Sequence, residues 1–227
     1  MSGPFDLRKP GRPIHVGVVL LNTVTEHLDI APVGFFHSIS TDFVKHLPDT
    51  IMPEELKAQA LDVIVHWVTE DATTPGVLTG NLRVVPTDSF ATCPQLDIVL
   101  MGAGQIGYQA TSTEKEFIRK CYAECSAFLS VCGASDPLLA TGILDGKVAT
   151  GPRSLIPLFR QMAPGTTWVE KRWVSDGKIW TTGTLLNGLD MIAAFGREMW
   201  GGEGSLVEHM IRTGHFPTRN VDYEDAL

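Results

Sequence analysis

The feature that most constrains this chain is an apolar run that ends abruptly at a cysteine. Ser126-Ala127-Phe128-Leu129-Ser130-Val131 reads as a buried strand, and Cys132-Gly133-Ala134-Ser135 follows with no linker. A helix carrying Leu138, Leu139 and Ala140 comes next and stops at Gly142. A strand that turns directly into a helix at a nucleophilic side chain is a nucleophile elbow, in which a strained turn lifts the thiol above the end of a sheet. The free N–H groups and positive dipole end of the following helix are expected to favour thiolate.

Similar runs recur along the chain. Residues 14–22, 61–69 and 96–101 read as strands, and residues 81–86 as a further strand or a hairpin arm. Helical spacing covers residues 28–44, with Ile30, Val33, Phe36 and Ile39 on one face. It returns over 113–124, where Thr113-Glu114-Lys115-Glu116 reads as a capping box, then over 153–162 and 185–200, the last continued by 206–212. Residues 45–60 form a Pro-punctuated excursion with a short amphipathic piece at 53–60. Residues 146–150 form a short strand, and 167–174 with 178–182 a hairpin around Asp176-Gly177. Residues 220–227 form an acidic, frayed tail. Alternating buried strands and amphipathic helices predict an α/β fold: a doubly wound, mostly parallel sheet with helices on both faces. One domain over residues 1–227, with its core at about 14–213, accommodates them all.

A net charge of −8 argues against a nucleic-acid partner. No apolar stretch approaches the roughly 20 residues that span a bilayer, and Met1-Ser2-Gly3-Pro4 does not open a secretion signal, so a cytoplasmic location is expected. Cys93, Cys121 and Cys125 read as small buried or half-buried thiols, with no Cys-x-x-Cys pair or zinc spacing. No Walker motif or post-strand Gly-x-Gly-x-x-Gly is present. A reaction without metal or cofactor on a small-molecule substrate is the expectation.

Three features fall at the carboxyl ends of strands, where doubly wound sheets bind ligands. They are Asp29, the turn Gly102-Ala103-Gly104 and Cys132. Asp29, ahead of Ala31-Pro32, is either an N-cap carboxylate or an acid–base group serving the thiol. The turn is either a tight bend or a pair of N–H donors forming an oxyanion hole. His27 is the histidine best placed to reach the pocket, although an exposed loop position suits it better. The five tryptophans read as core and dimer-surface aromatics, and residues 51–60 as a cover for the pocket or a dimer seam.

Taken in order, these loops resemble the PfpI/ThiJ superfamily of flavodoxin-like cysteine enzymes, and within it the isocyanide hydratase branch. The resemblance rests on Leu28-Asp29-Ile30-Ala31-Pro32, on Asp97-Ile98-Val99-Leu100-Met101-Gly102-Ala103-Gly104, and on Ser130-Val131-Cys132 with Gly142-Ile143-Leu144-Asp145-Gly146-Lys147. It continues through Val174-Ser175-Asp176-Gly177-Lys178 and Gly188-Leu189-Asp190, and spans most of residues 14–200. It implies Cys132 as nucleophile, Asp29 as proton shuttle, N–H groups of Gly102 and Ala103 facing the reacting atom, and a homodimer. Three departures accompany it. Gly133 stands where many relatives have Thr, Asp136-Pro137 where they have apolar residues, and Gly151 where they have His after the Ala-Thr pair. A PfpI-type protease therefore lacks its base, and a site recut for another substrate is expected, with Gly133 and Asp136 at its wall.

Three functions compete on these residues. The first is a cofactor-free lyase or hydratase in which Cys132 attacks an electrophilic carbon. The second is an isomerase, dehydratase or cyclase of specialised metabolism that uses Asp29, Asp136 and Cys132 as acid–base groups. The third is a redox-sensing or chaperone-like protein whose elbow thiol is reversibly oxidised.

Overall fold

The computed structural model describes residues 5–224. The chain begins with β1 (Ile14–Val19) and β2 (Val24–Thr25), followed by four short helices: α1 (His27–Ile30), α2 (Val33–Ser38), α3 (Thr41–Val44) and α4 (Glu54–Lys57). Then come β3 (Val63–Thr69), β4 (Gly76–Leu78), β5 (Leu82–Val84), β6 (Asp88–Ser89) and β7 (Ile98–Met101). Next are α5 (Ser112–Glu124), β8 (Ala127–Ser130), α6 (Ser135–Leu139), β9 (Val148–Ala149) and α7 (Ile156–Met162). The series closes with β10 (Thr167–Trp168), β11 (Trp173–Asp176), β12 (Ile179–Thr182), α8 (Asn187–Trp200) and α9 (Leu206–Thr213).

Seven strands form the main sheet in the order β11-β12-β8-β7-β1-β3-β6. All neighbours are parallel except the β11–β12 hairpin. The chain winds outward from β1 in both directions, so strand order reverses between β1 and β7. Strands β7 and β8 are buried at every position, as strands covered on both faces must be. Phe35, Phe36 and Phe195 fill the core on one face, beneath α2, α8 and α9. Phe117, Ile118, Leu138 and Phe159 fill the other, beneath α5, α6 and α7. This is the doubly wound flavodoxin-like α/β fold. Its carboxyl edge at the reversal is where such sheets bind ligands. No helix among the described residues is long and apolar enough to cross a membrane.

Several elements differ from the sequence reading. The single helix expected over 28–44 is three short ones. Ser40 is extended (φ −81°, ψ 148°), caps α3 by accepting the Phe43 N–H, and bridges to Leu61 beside the sheet. The capping box opens at Thr111 rather than Thr113, with Thr111 and Glu114 each accepting the other's N–H. Thr167–Trp168 pairs in parallel with β9, which leaves the hairpin to β11 and β12 around Gly177 at φ +63°. Residues 220–224 are pinned rather than frayed: Arg172 donates to the carbonyls of Asn220 and Asp222, and Lys171 pairs with Asp222. The rest of that tail, residues 225–227, lies outside the described residues.

One ion pair ties the two halves together at the reversal. Fully buried Asp97, at the foot of β7, accepts both terminal nitrogens of Arg12 at 2.7 and 2.8 Å and the His15 N–H at 2.9 Å. Removing such a carboxylate strands two sets of donors, which typically costs about 3 kcal/mol. Asp97→Ala is expected to lower the unfolding free energy by that amount, read as a downward shift of the urea midpoint. An unchanged midpoint would mean that Arg12 is re-solvated without loss.

Candidate active site

Cys132 is the first residue of a 3-10 turn over Cys132–Ala134 and sits at φ +60°. That left-handed conformation is costly for any residue with a Cβ, so neighbours must hold it. Val131 donates to the Met101 carbonyl (2.9 Å), and the Cys132 N–H donates to Thr182 Oγ1 (3.3 Å). The elbow is thus gripped between β7 and β12.

Asp29 comes to the same place from the end of β1. It lies within α1, whose cap is Glu26, so the N-cap role fails. Its side chain is wholly buried. Oδ2 accepts the Ala103 N–H at 3.0 Å, while Oδ1 is buried with no donor in hydrogen-bond geometry. The Cys132 thiol and the Leu185 N–H lie near enough to steady its charge. Gly102 makes this approach possible, because a Cβ there would stand 2.9 Å from Asp29 Cβ and 3.0 Å from Thr25 Cγ2.

The expected oxyanion donors change accordingly. The Ala103 N–H is committed to Asp29 and is not free for a reacting atom. The N–H groups that favour negative charge on the Cys132 sulfur belong to Gly133 and Leu185. Leu185 follows β12 and is itself left-handed, at φ +47°. Sequence reasoning missed it, since an ordinary Leu gives no sign of such a turn. Tyr223 braces this loop from the far end of the described chain. Its hydroxyl lies 3.5 Å from Asn187 Oδ1, and a Cβ on Gly183 would come within 2.3 Å of it. Arg153 and Arg172 stack over its ring at 4.8 and 4.7 Å.

Electrostatics also depart from expectation. Burial, and then the charge of Asp29, push the Cys132 thiol up to about 11, against the pull of the Gly133 and Leu185 N–H groups. Helix α6 has only five residues, too few for a macrodipole to outweigh desolvation. The resting sulfur is therefore a thiol. Burial raises the Asp29 carboxyl to about 7, with the Ala103 N–H its main opposition. A base that titrates near neutrality thus faces an acid that has kept its proton.

Cys132 opens into a cavity of about 450 Å³. Gly102, Ala103, Gly104, Gly133 and Asp136 line it, with Leu155, Leu158 and Met162 as an apolar wall. Asp29 sits behind this lining. His27 is off it: the ring is exposed and bonds Thr79 Oγ1 at 2.7 Å. Residues 51–60 do not line it either; Met52 and Leu56 pack on the core under α2. A Cβ on Gly151 would meet the Phe159 ring at 2.8 Å, so that ring occupies the space of the absent histidine.

Against known proteins, the DJ-1/PfpI family model matches residues 48–198, which include Cys132 and leave Asp29 upstream. Over 155 residues, 67% of each chain, the sequence is 33% identical to the isonitrile hydratase of Pseudomonas putida. A ThiJ/PfpI family protein from Pseudomonas syringae superposes with a TM-score of 0.70 at 19% identity, over 92% of this chain and 77% of its own. Drosophila melanogaster DJ-1beta does so with a TM-score of 0.68 at 15% identity, over 91% and 100% respectively. These two structural likenesses concern the fold alone.

Two outcomes follow. The Asp29 carboxyl moves from about 4 unfolded to about 7 folded, so its contribution to stability is full below pH 4 and is lost as pH rises to 7. Urea titrations should show Asp29→Asn gaining on the parent across that window by up to ~4 kcal/mol. A parallel pH dependence in both proteins would refute the raised carboxyl. Tyr223→Ala should slow alkylation of Cys132 by iodoacetamide several-fold while far-UV circular dichroism stays unchanged.

Proposed function

Because the chain belongs to the DJ-1/PfpI family and carries a cysteine at the elbow of that fold, we propose that it is a cofactor-free, cysteine-dependent hydratase of small electrophiles of the isocyanide type. The observation that carries this reading is the buried Asp29 carboxyl set beside Cys132, with one oxygen that has no partner in hydrogen-bond geometry. The isonitrile hydratase similarity supports the choice of electrophile.

Asp29 takes the thiol proton as sulfur attacks the terminal carbon of R–N≡C, with the Gly133 and Leu185 N–H groups favouring the charge on sulfur. Asp29 then returns that proton to the attacked carbon, giving the thioimidate R–N=CH–S–Cys132. Water adds to the same carbon, giving one of its protons to nitrogen and the other to Asp29, which later passes it to the sulfur. Cleavage of the C–S bond releases R–NH–CHO, and the sulfur recovers its proton. The balance is R–N≡C plus water to the N-substituted formamide, with no redox change. The isonitrile hydratase similarity, at 33% identity, sets this reading ahead of redox sensing.

Incubation with an aryl isocyanide should yield its formamide, read by chromatography and mass spectrometry. The limb of kcat/KM set by Asp29 should rise through pH 7, because the carboxylate is the active form. Cys132→Ser should lose about 10³-fold or more in kcat, and Asp29→Asn about 10²-fold. Retention of activity within tenfold by Cys132→Ser would transfer the role to acid–base chemistry by Asp29.

A further inference from the structure

Asp136 follows the elbow by four residues, in the first turn of α6, and lines the cavity beside Gly133 and Pro137. Every other lining residue is apolar or formally neutral, so Asp136 is the one fixed charge on that wall among the described residues. Its side chain makes no hydrogen bond or ion pair among the described residues. Arg153, the nearest basic residue in sequence to the Pro152–Leu155 side of the wall, is turned to Glu170 at 3.6 Å and to the Tyr223 ring. Asp136 therefore lines the cavity without a counter-charge.

We infer that Asp136 selects substrates by charge, its carboxylate receiving an ammonium or N–H group of the substrate while carboxylate- and phosphate-bearing molecules are excluded. This rests on the reading above, in which the electrophilic carbon lies at Cys132. The substrate then has three parts: a reactive carbon at the sulfur, an apolar body along Leu155, Leu158 and Met162, and a donor or cation reaching Asp136. Burial alone raises the Asp136 carboxyl, and a bound cation would pull it back down. An uncompensated charge in a largely apolar wall attracts the opposite sign far more strongly than one in water.

The test uses three methanethiosulfonates that differ in charge: the neutral methyl, the cationic aminoethyl and the anionic sulfonatoethyl reagents. Each transfers its alkylthio group to sulfur, forming a mixed disulfide and releasing methanesulfinate. Rates at Cys132 are read by peptide mass, in salt high enough to screen the net charge of −8. The cationic-to-anionic rate ratio should exceed that for free cysteine by about tenfold or more, and collapse in Asp136→Asn. An unchanged ratio in Asp136→Asn overturns the inference while leaving the cysteine reading intact. A Cys132 inert even to the neutral reagent tells against the cysteine reading instead. Thermal shifts with benzylammonium and benzoate then decide the charge question. Stabilisation by the cation alone, lost in Asp136→Asn, upholds the selection, and equal shifts reject it.

Discussion

The hydrogen bond from Ala103 to Asp29 is the constraint on which the site depends. It joins the loop after β1 to the loop after β7, and it forms because Gly102 presents no Cβ to the helix that carries Asp29. One carboxylate oxygen is thereby fixed, and the other is left buried beside the elbow sulfur with no partner in hydrogen-bond geometry. Burial outweighs the donors around this carboxylate, so the carboxyl holds its proton to unusually high pH. The elbow answers in kind: its sulfur, half-buried and close to that carboxyl, stays a thiol. In the proposed reaction the two groups exchange one proton across a gap that Gly102, having no Cβ, keeps small.

Much of this was legible in the residues. A mostly apolar run ending at Cys132, a second ending at Gly102, and an Asp just past the first strand are local signals. Strand burial and turn chemistry turn each of them directly into position. What the loops do to one another was not legible. The Ala103 N–H looked available to a substrate until the fold set Asp29 against it. Leu185 entered through the β12–α8 turn, a contact more than fifty residues away from the elbow. The residues at 111–116 contain two overlapping capping boxes, and the choice is tertiary. Buried Glu114 also accepts the Tyr108 hydroxyl and the Asn22 N–H, which fixes the helix start at the earlier threonine.

The departures from the family pattern share a physical theme. Gly151 leaves no room for a ring of its own because Phe159 already fills that space. Gly133 faces Ala103 so closely that an added Cβ would stand 3.3 Å from the alanine methyl. Glycine and hydrocarbon thus stand near the sulfur, and a single carboxylate lies further along the wall. One scaffold serves different substrates through such differences in the polarity of its cavity.

The brace at Tyr223 has a practical side. An affinity tag or fluorescent fusion attached just beyond that ring would pull on the loop supplying Leu185, whereas one attached ahead of Arg12 would hang from the amino edge of the sheet. Two preparations of identical sequence between the tags would then differ in the support beneath their thiol. Comparing them is a way to learn how far the terminal contact shapes the chemistry, and it requires no substitution inside the chain.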